Sequence, residues 1–271
     1  MNNVVGVHTQ IPPECLSEYT NRSGAPGYKG IGHYPDIGAK YQIGRCVNGE
    51  NNELDGTLAA HISHGFHGAA PVFYACVEEI DKNPHMTHWL LYNEPPIWEE
   101  RVLNGFVAFN QELIRLFRLR YPNKKILVGA INTGHPKLVT EDGGRQMDVI
   151  SRAMEYADGY SCHAYHPLDL RSDVEVLLCR YRHLHNYCVS VGRPHPPFFI
   201  LELGIDAPGG PWHGHYGWRE VLKENWPLYR DMLIFAAQEF AKDDYVVLAT
   251  IYLTHPSYDW IGFEINCDQM M

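Results

Sequence analysis

Two glutamates stand where a carboxylate can act on a bound molecule. Glu94 ends the run His88-Trp89-Leu90-Leu91-Tyr92-Asn93-Glu94-Pro95-Pro96. The apolar, aromatic part has the make-up of a strand, and the prolines that follow cannot extend a hydrogen-bonded ladder. Glu94 is thereby left at the carboxyl end of a buried strand, beside the amide of Asn93. Glu202 lies inside Pro197-Phe198-Phe199-Ile200-Leu201-Glu202-Leu203-Gly204. Period-two alternation sets it on the face of Ile200, opposite Leu201 and Leu203. A buried carboxylate without a partner is costly, so water, a donor or a substrate must meet it. Each acid also has a plain structural reading: Glu94 as a loop acid before a helix N-terminus, Glu202 as one half of a salt bridge. Taken together, two carboxylates at strand ends suit hydrolysis of a glycosidic bond. One acid protonates the leaving oxygen while the other attacks the sugar.

The elements that must position them follow a regular order. From residue 86 onward, strand and helix alternate in units of similar length. After the Glu94 run, a helix striped by Leu103, Phe106, Val107, Leu113, Ile114 and Phe117 extends to about Arg120 and stops at Tyr121-Pro122. Strands are expected over 125–131, 159–165, 197–204 and 245–253. A helix striped by Met147, Ile150 and Met154 lies between the first two of these. Ser172-Asp173-Val174-Glu175 has the pattern of a capping box opening the next helix. Another helix is expected from about Pro227 to Lys242. Upstream, Val4 to His8 and Lys40 to Cys46 read as strands, and Leu58 to Ile62 and Phe73 to Ile80 as helices. Residues 11–36, rich in Pro, Gly, Asn and Ser, offer no helix. Apolar strands without alternation, joined by crossover helices, predict a buried parallel sheet. No Gly-x-Gly-x-x-Gly or Walker loop follows any strand, which counts against the nucleotide-binding version. The expectation is a (β/α)8 TIM barrel in a single catalytic domain, residues 1–271. Its first third is abbreviated, and the residues after Trp260 are too few for a full closing helix.

The run Tyr92-Asn93-Glu94-Pro95, the later strand with His163 and Tyr165, and Glu202 at the end of a further strand resemble the clan A retaining glycoside hydrolases. The resemblance implies a TIM barrel with Glu94 as acid/base after the fourth strand and Glu202 as nucleophile on the seventh. It further implies that Asn93 bonds the substrate 2-hydroxyl, that Tyr165 orients the nucleophile, and that His163 lines the site. Tyr252 and Trp260 would form an aromatic floor, and Arg45 would be the basic residue kept near the nucleophile.

The bulk numbers agree with a neutral carbohydrate substrate. A net charge of −10 and no Lys/Arg cluster beyond Lys124-Lys125 exclude an ordinary nucleic-acid binder. No apolar run reaches transmembrane length. The first residues show no basic region with a long apolar core, so no signal peptide is expected and a cytoplasmic location is the default. The seven cysteines form no Cys-x-x-Cys pair and are expected to be reduced and buried. No cofactor is expected.

Two other readings stand beside the hydrolase. His61-x-x-His64-x-x-His67 and His213-x-His215 have spacings that metal ligands use, as in a metal-dependent barrel hydrolase. The first strand argues against it, since His8 is followed by Thr9 and Gln10 rather than by a second histidine. The other is a carbohydrate-binding barrel without turnover. The segment Trp212, His213, His215, Tyr216 and Trp218 follows Glu202 and offers rings for a substrate wall.

Overall fold

A computed structural model describes residues 4–11, 13–47, 56–138, 141–210, 214–254 and 258–270. The strands are β1 (Val5–Thr9), β2 (Gly27–Ile31), β3 (Tyr41–Arg45), β4 (His88–Leu90), β5 (Lys125–Ile131), β6 (Gly159–His166) and β7 (Phe198–Ile205). A hairpin of β8 (Ala207–Gly210) and β9 (Gly214–Tyr216) follows, and then β10 (Val246–Thr254). All but the hairpin close a barrel in the order β1-β10-β7-β6-β5-β4-β3-β2. The expected (β/α)8 barrel is therefore present, with Glu94 following its fourth strand and Glu202 on its seventh. Among the described residues the helices are α1 (Leu16–Ser23), α2 (Thr57–Ser63), α3 (Phe66–Lys82), α4 (Glu100–Arg120), α5 (Glu141–Ala153), α6 (Tyr181–Ser190), α7 (Trp218–Val221), α8 (Trp226–Phe240) and α9 (Cys267–Met270). None of them is long and apolar enough to cross a membrane.

The first third is more complete than its composition suggests. Residues 11–36 contain both α1 and β2. The helix lacks a side-chain cap at Cys15 and ends at Gly24, whose φ of 65° is left-handed. The strand Gly-Tyr-Lys-Gly-Ile looks like a turn, but its first glycine is required by packing. A Cβ on Gly27 would lie 2.0 Å from the Tyr41 carbonyl oxygen. The abbreviation that remains is the link between β2 and β3, where the described residues form no helix. Gly44 on β3 serves the same end, because a Cβ there would meet the Trp89 ring at 2.6 Å.

Two other expectations change. Ser172-Asp173 does not open a helix; α6 begins at Tyr181. The Ser172 hydroxyl bonds the Asp169 carbonyl at 2.8 Å and contacts His166 Nε2 at 3.0 Å, so it is spent before it can cap. Asp173 has a φ of 45°, outside helical space. Cys15 and Cys267 form a disulfide although 252 residues separate them, whereas Cys46, Cys76, Cys162, Cys179 and Cys188 are buried thiols. The chain after β10 closes with a 3-10 segment, Tyr258–Phe263, and the short α9.

By contact density the chain forms two compact units. One comprises Met1–Gln42, His163–Cys179 and Phe199–Met271; the other comprises Ile43–Cys162 and Arg180–Phe198.

Candidate active site

In the first unit, Glu202 is the centre of a polar cluster inside an otherwise apolar strand. Every residue of β7 is buried. The exposed share of the Glu202 side chain is only 7%, and its two oxygens are met by different partners. Lys29 Nζ on β2 donates to Oε1 at 2.7 Å, and Tyr165 Oη on β6 donates to Oε2 at 2.8 Å. Two imidazoles stand further out: His8 Nδ1 lies 3.8 Å from Oε1 and His163 Nδ1 3.4 Å from Oε2. His8 and Lys29 are register partners on β1 and β2, so both side chains leave the sheet on one face. His163 and Tyr165 are two apart on β6 and share a face for the same reason.

The electrostatics of this cluster follow from burial. An ammonium beside Oε1 and a hydroxyl on Oε2 both favour the charged form of a carboxylate. Burial pushes the Tyr165 phenol well above its ordinary value, and the charge on Glu202 adds to that shift. Tyr165 thus stays protonated and keeps its role as donor. The basic residue that meets Glu202 is Lys29, which is fully buried. Sequence reasoning missed Lys29 because its strand reads as a turn. A lysine between small and aromatic residues is nonetheless a signal, since it needs an acid once it is buried.

Aromatic residues continue from this cluster toward the end of the chain. The Tyr252 ring on β10 lies 5.0 Å from His8, 5.8 Å from Tyr165 and 6.0 Å from Trp260, each edge-on. Tyr165 and Trp260 pack on a small core of Tyr252, Leu253 and Phe263. Tyr252 and Trp260 are therefore brought into the Glu202 surroundings. His215 on β9 lies 6.4 Å from Trp260 with its ring tilted by 36°. Its Nδ1 contacts Asp206 Oδ1 at 2.6 Å.

Trp218 is a correction to the proposed substrate wall. It is buried and stacks on Tyr229 at 4.9 Å, which makes it part of the core. Trp212 and His213 lie outside the described residues. Among the described residues, His61, His64, His67 and His215 join no group of three potential metal ligands.

In the second unit, Glu94 is set by an unusual backbone. Its φ is 42°, a left-handed value that a residue with a side chain seldom adopts. Its N–H donates to the Ala130 carbonyl at 3.1 Å, and Ala130 is itself left-handed, with φ 45°. Such positions cost about 1–3 kcal/mol each and persist where their surroundings over-determine them. Here the surroundings are polar and buried. Tyr92 Oη donates to Asn110 Oδ1 at 2.6 Å and accepts from Gly129 N at 3.0 Å, while Ser161 Oγ accepts from Ala130 N at 2.8 Å. Asn93 is buried and Glu94 partly so. Trp98, in the same loop, is half exposed and lies 5.3 Å from His135 with the rings tilted by 31°. Sequence reasoning passed over it.

No family model and no curated protein sequence matches the chain. Solved structures do match over 98% of its length. A β-D-glucuronidase of Dictyoglomus thermophilum matches with 14% identity and a TM-score of 0.54, a β-glucuronidase of an uncultured Clostridium species with 14% and 0.55, and a β-glucuronidase of Ruminococcus gnavus with 13% and 0.58. At such identity the likeness is one of fold. The chain spans about half the length of these proteins, from 48% to 49%.

Proposed function

We propose that this barrel is a retaining glycoside hydrolase that cleaves a glycosidic bond in an oligo- or polysaccharide, with no metal or organic cofactor. The observation that carries the reading is Glu202: a buried carboxylate in an apolar strand, held in one orientation by Lys29 and Tyr165. In the first step Glu202 attacks the anomeric carbon, and the bond to the leaving oxygen breaks as that oxygen takes the Glu94 proton. In the second step Glu94 takes a proton from water, the water oxygen bonds the anomeric carbon, and Glu202 is released. The reading requires the two carboxyl groups to work about 5–5.5 Å apart, the separation of a retaining pair. Asn93 would hold the sugar 2-hydroxyl, His163 would line the site, and Tyr252 with Trp260 would support the ring. The structural relatives named above put β-glucuronides on the list of substrates to try.

One observation favours a second reading. The Lys29–Glu202 ion pair is also what a carbohydrate-binding barrel without turnover would contain. Hydrolysis of a panel of aryl glycosides and polysaccharides, β-glucuronides included, separates the two. Turnover that disappears in Glu202→Ala supports the hydrolase. Saturable sugar binding without turnover in the wild type supports the binding barrel, and wild-type rates in Glu202→Ala overturn the mechanism.

A further inference from the structure

The hairpin after β7 carries an arrangement that the two-carboxylate reaction does not use. Asp206 directly follows Ile205, the last residue of β7, and precedes β8. Its own N–H is fixed by the His166 carbonyl at 3.1 Å. Asp206 Oδ1 in turn takes His215 Nδ1 at 2.6 Å. A carboxylate at that distance holds the imidazole proton on Nδ1 and presents Nε2 as the second polar atom of the ring. The His215 side chain is 43% exposed, in contrast to the buried His8 and His163. It is also the residue that extends the row of rings from Tyr165 through Tyr252 and Trp260. An oriented, solvent-facing imidazole beside an indole is a surface with one apolar wall and one directed polar atom. A sugar ring presents those same two features, an apolar face for stacking and hydroxyls at its edge.

We propose that His215, oriented by Asp206, is a specificity-determining residue that hydrogen-bonds a hydroxyl of the carbohydrate stacked on Trp260. This rests on the glycoside hydrolase reading only for the class of ligand; binding can be measured whether or not turnover occurs. The residue acts in recognition and touches no bond that is made or broken. Asp206 is a positioning residue, acting through His215.

The test uses the full chain and the 4-nitrophenyl β-D-glucuronide and β-D-glucoside pair, with both turnover and quenching of tryptophan fluorescence as readouts. His215→Ala should weaken binding and raise KM about 3–10-fold, the cost of one neutral hydrogen bond, with kcat within about twofold of wild type. His215→Gln, which keeps a polar atom, should recover part of the loss. Asp206→Asn should fall between the two. A KM and affinity unchanged in His215→Ala overturns the inference and leaves the hydrolase reading standing. A fall in kcat with KM unchanged also overturns it, because it would mark a role in the chemistry. Binding without turnover in the wild type sinks the hydrolase reading alone, and the affinity ratio then decides for His215. A wild type that neither binds nor cleaves either probe overturns the inference.

Discussion

Lys29 and Glu202 form a buried ion pair, Nζ to Oε1 at 2.7 Å, between the second and seventh strands of the barrel. Neither side chain has water to fall back on: the exposed shares are 0% and 7%. Removing one partner strands the other charge in the interior, at a typical cost of about 3–5 kcal/mol. Lys29→Met should therefore destabilise the fold by about that amount in denaturant unfolding. The double variant Lys29→Met/Glu202→Leu should recover most of the loss, because neither charge is then left behind. A single variant as stable as the wild type would contradict the pairing.

In the proposed mechanism the two carboxylates differ in role, so they should differ in kinetic signature. Glu94→Ala removes proton donation, which contributes about 10²–10⁴-fold. The loss in kcat/KM should be small for an aryl glycoside with a good leaving group and large for one with a poor leaving group. An equal loss across leaving groups would remove Glu94 from the acid role.

The left-handed pair Glu94 and Ala130 makes a local prediction. A β-branched residue tolerates a φ near 45° worse than alanine does. Ala130→Val should destabilise by about 1–3 kcal/mol and lower kcat, since the Ala130 carbonyl holds the Glu94 backbone. Unchanged stability and activity would show that this backbone is not constrained as described.

Several buried phenols set the behaviour in alkali. Burial, the largest cause in each case, raises the pKa of Tyr92, Tyr160, Tyr165 and Tyr229 above its ordinary value. A group whose folded pKa is raised contributes stability that is complete below the unfolded pKa, here about 10. Above that pH only the unfolded chain gains the charge, and stability falls by about 1.4 kcal/mol per pH unit for each such tyrosine. Denaturant unfolding between pH 8 and 11 should show a plateau and then a steep decline. Stability that stays flat through pH 11 would contradict the burial of these hydroxyls.

The barrel was legible in the sequence wherever apolar periodicity was strong, as in α4, β5, β6, β7 and β10. It was illegible where packing overruled local preference. The strand β2 carries glycines needed for close backbone approach and a lysine whose partner lies 173 residues away. No local pattern names that partner. The helix α3 starts seven residues before the expected Phe73, because it tolerates Pro71 and contains Gly68, both of which read as breakers. The disulfide could not be inferred from spacing, since its cysteines are joined only by the closed fold. Of the site, Glu202, Tyr165, His163 and Tyr252 were readable as a set because they are polar or ring residues in continuous apolar strand runs. Lys29 and the Asp206–His215 pair were not, for their elements are short and polar.

The most direct test of the central claim is to look for the covalent sugar on Glu202. In the Glu94→Ala variant, an aryl glycoside with a good leaving group should still react with Glu202, while release by water is slowed. Mass spectrometry should then show the chain heavier by one glycosyl unit, with the adduct on the peptide that carries Glu202. An adduct on another residue, or turnover with inverted configuration and no adduct, would contradict the mechanism.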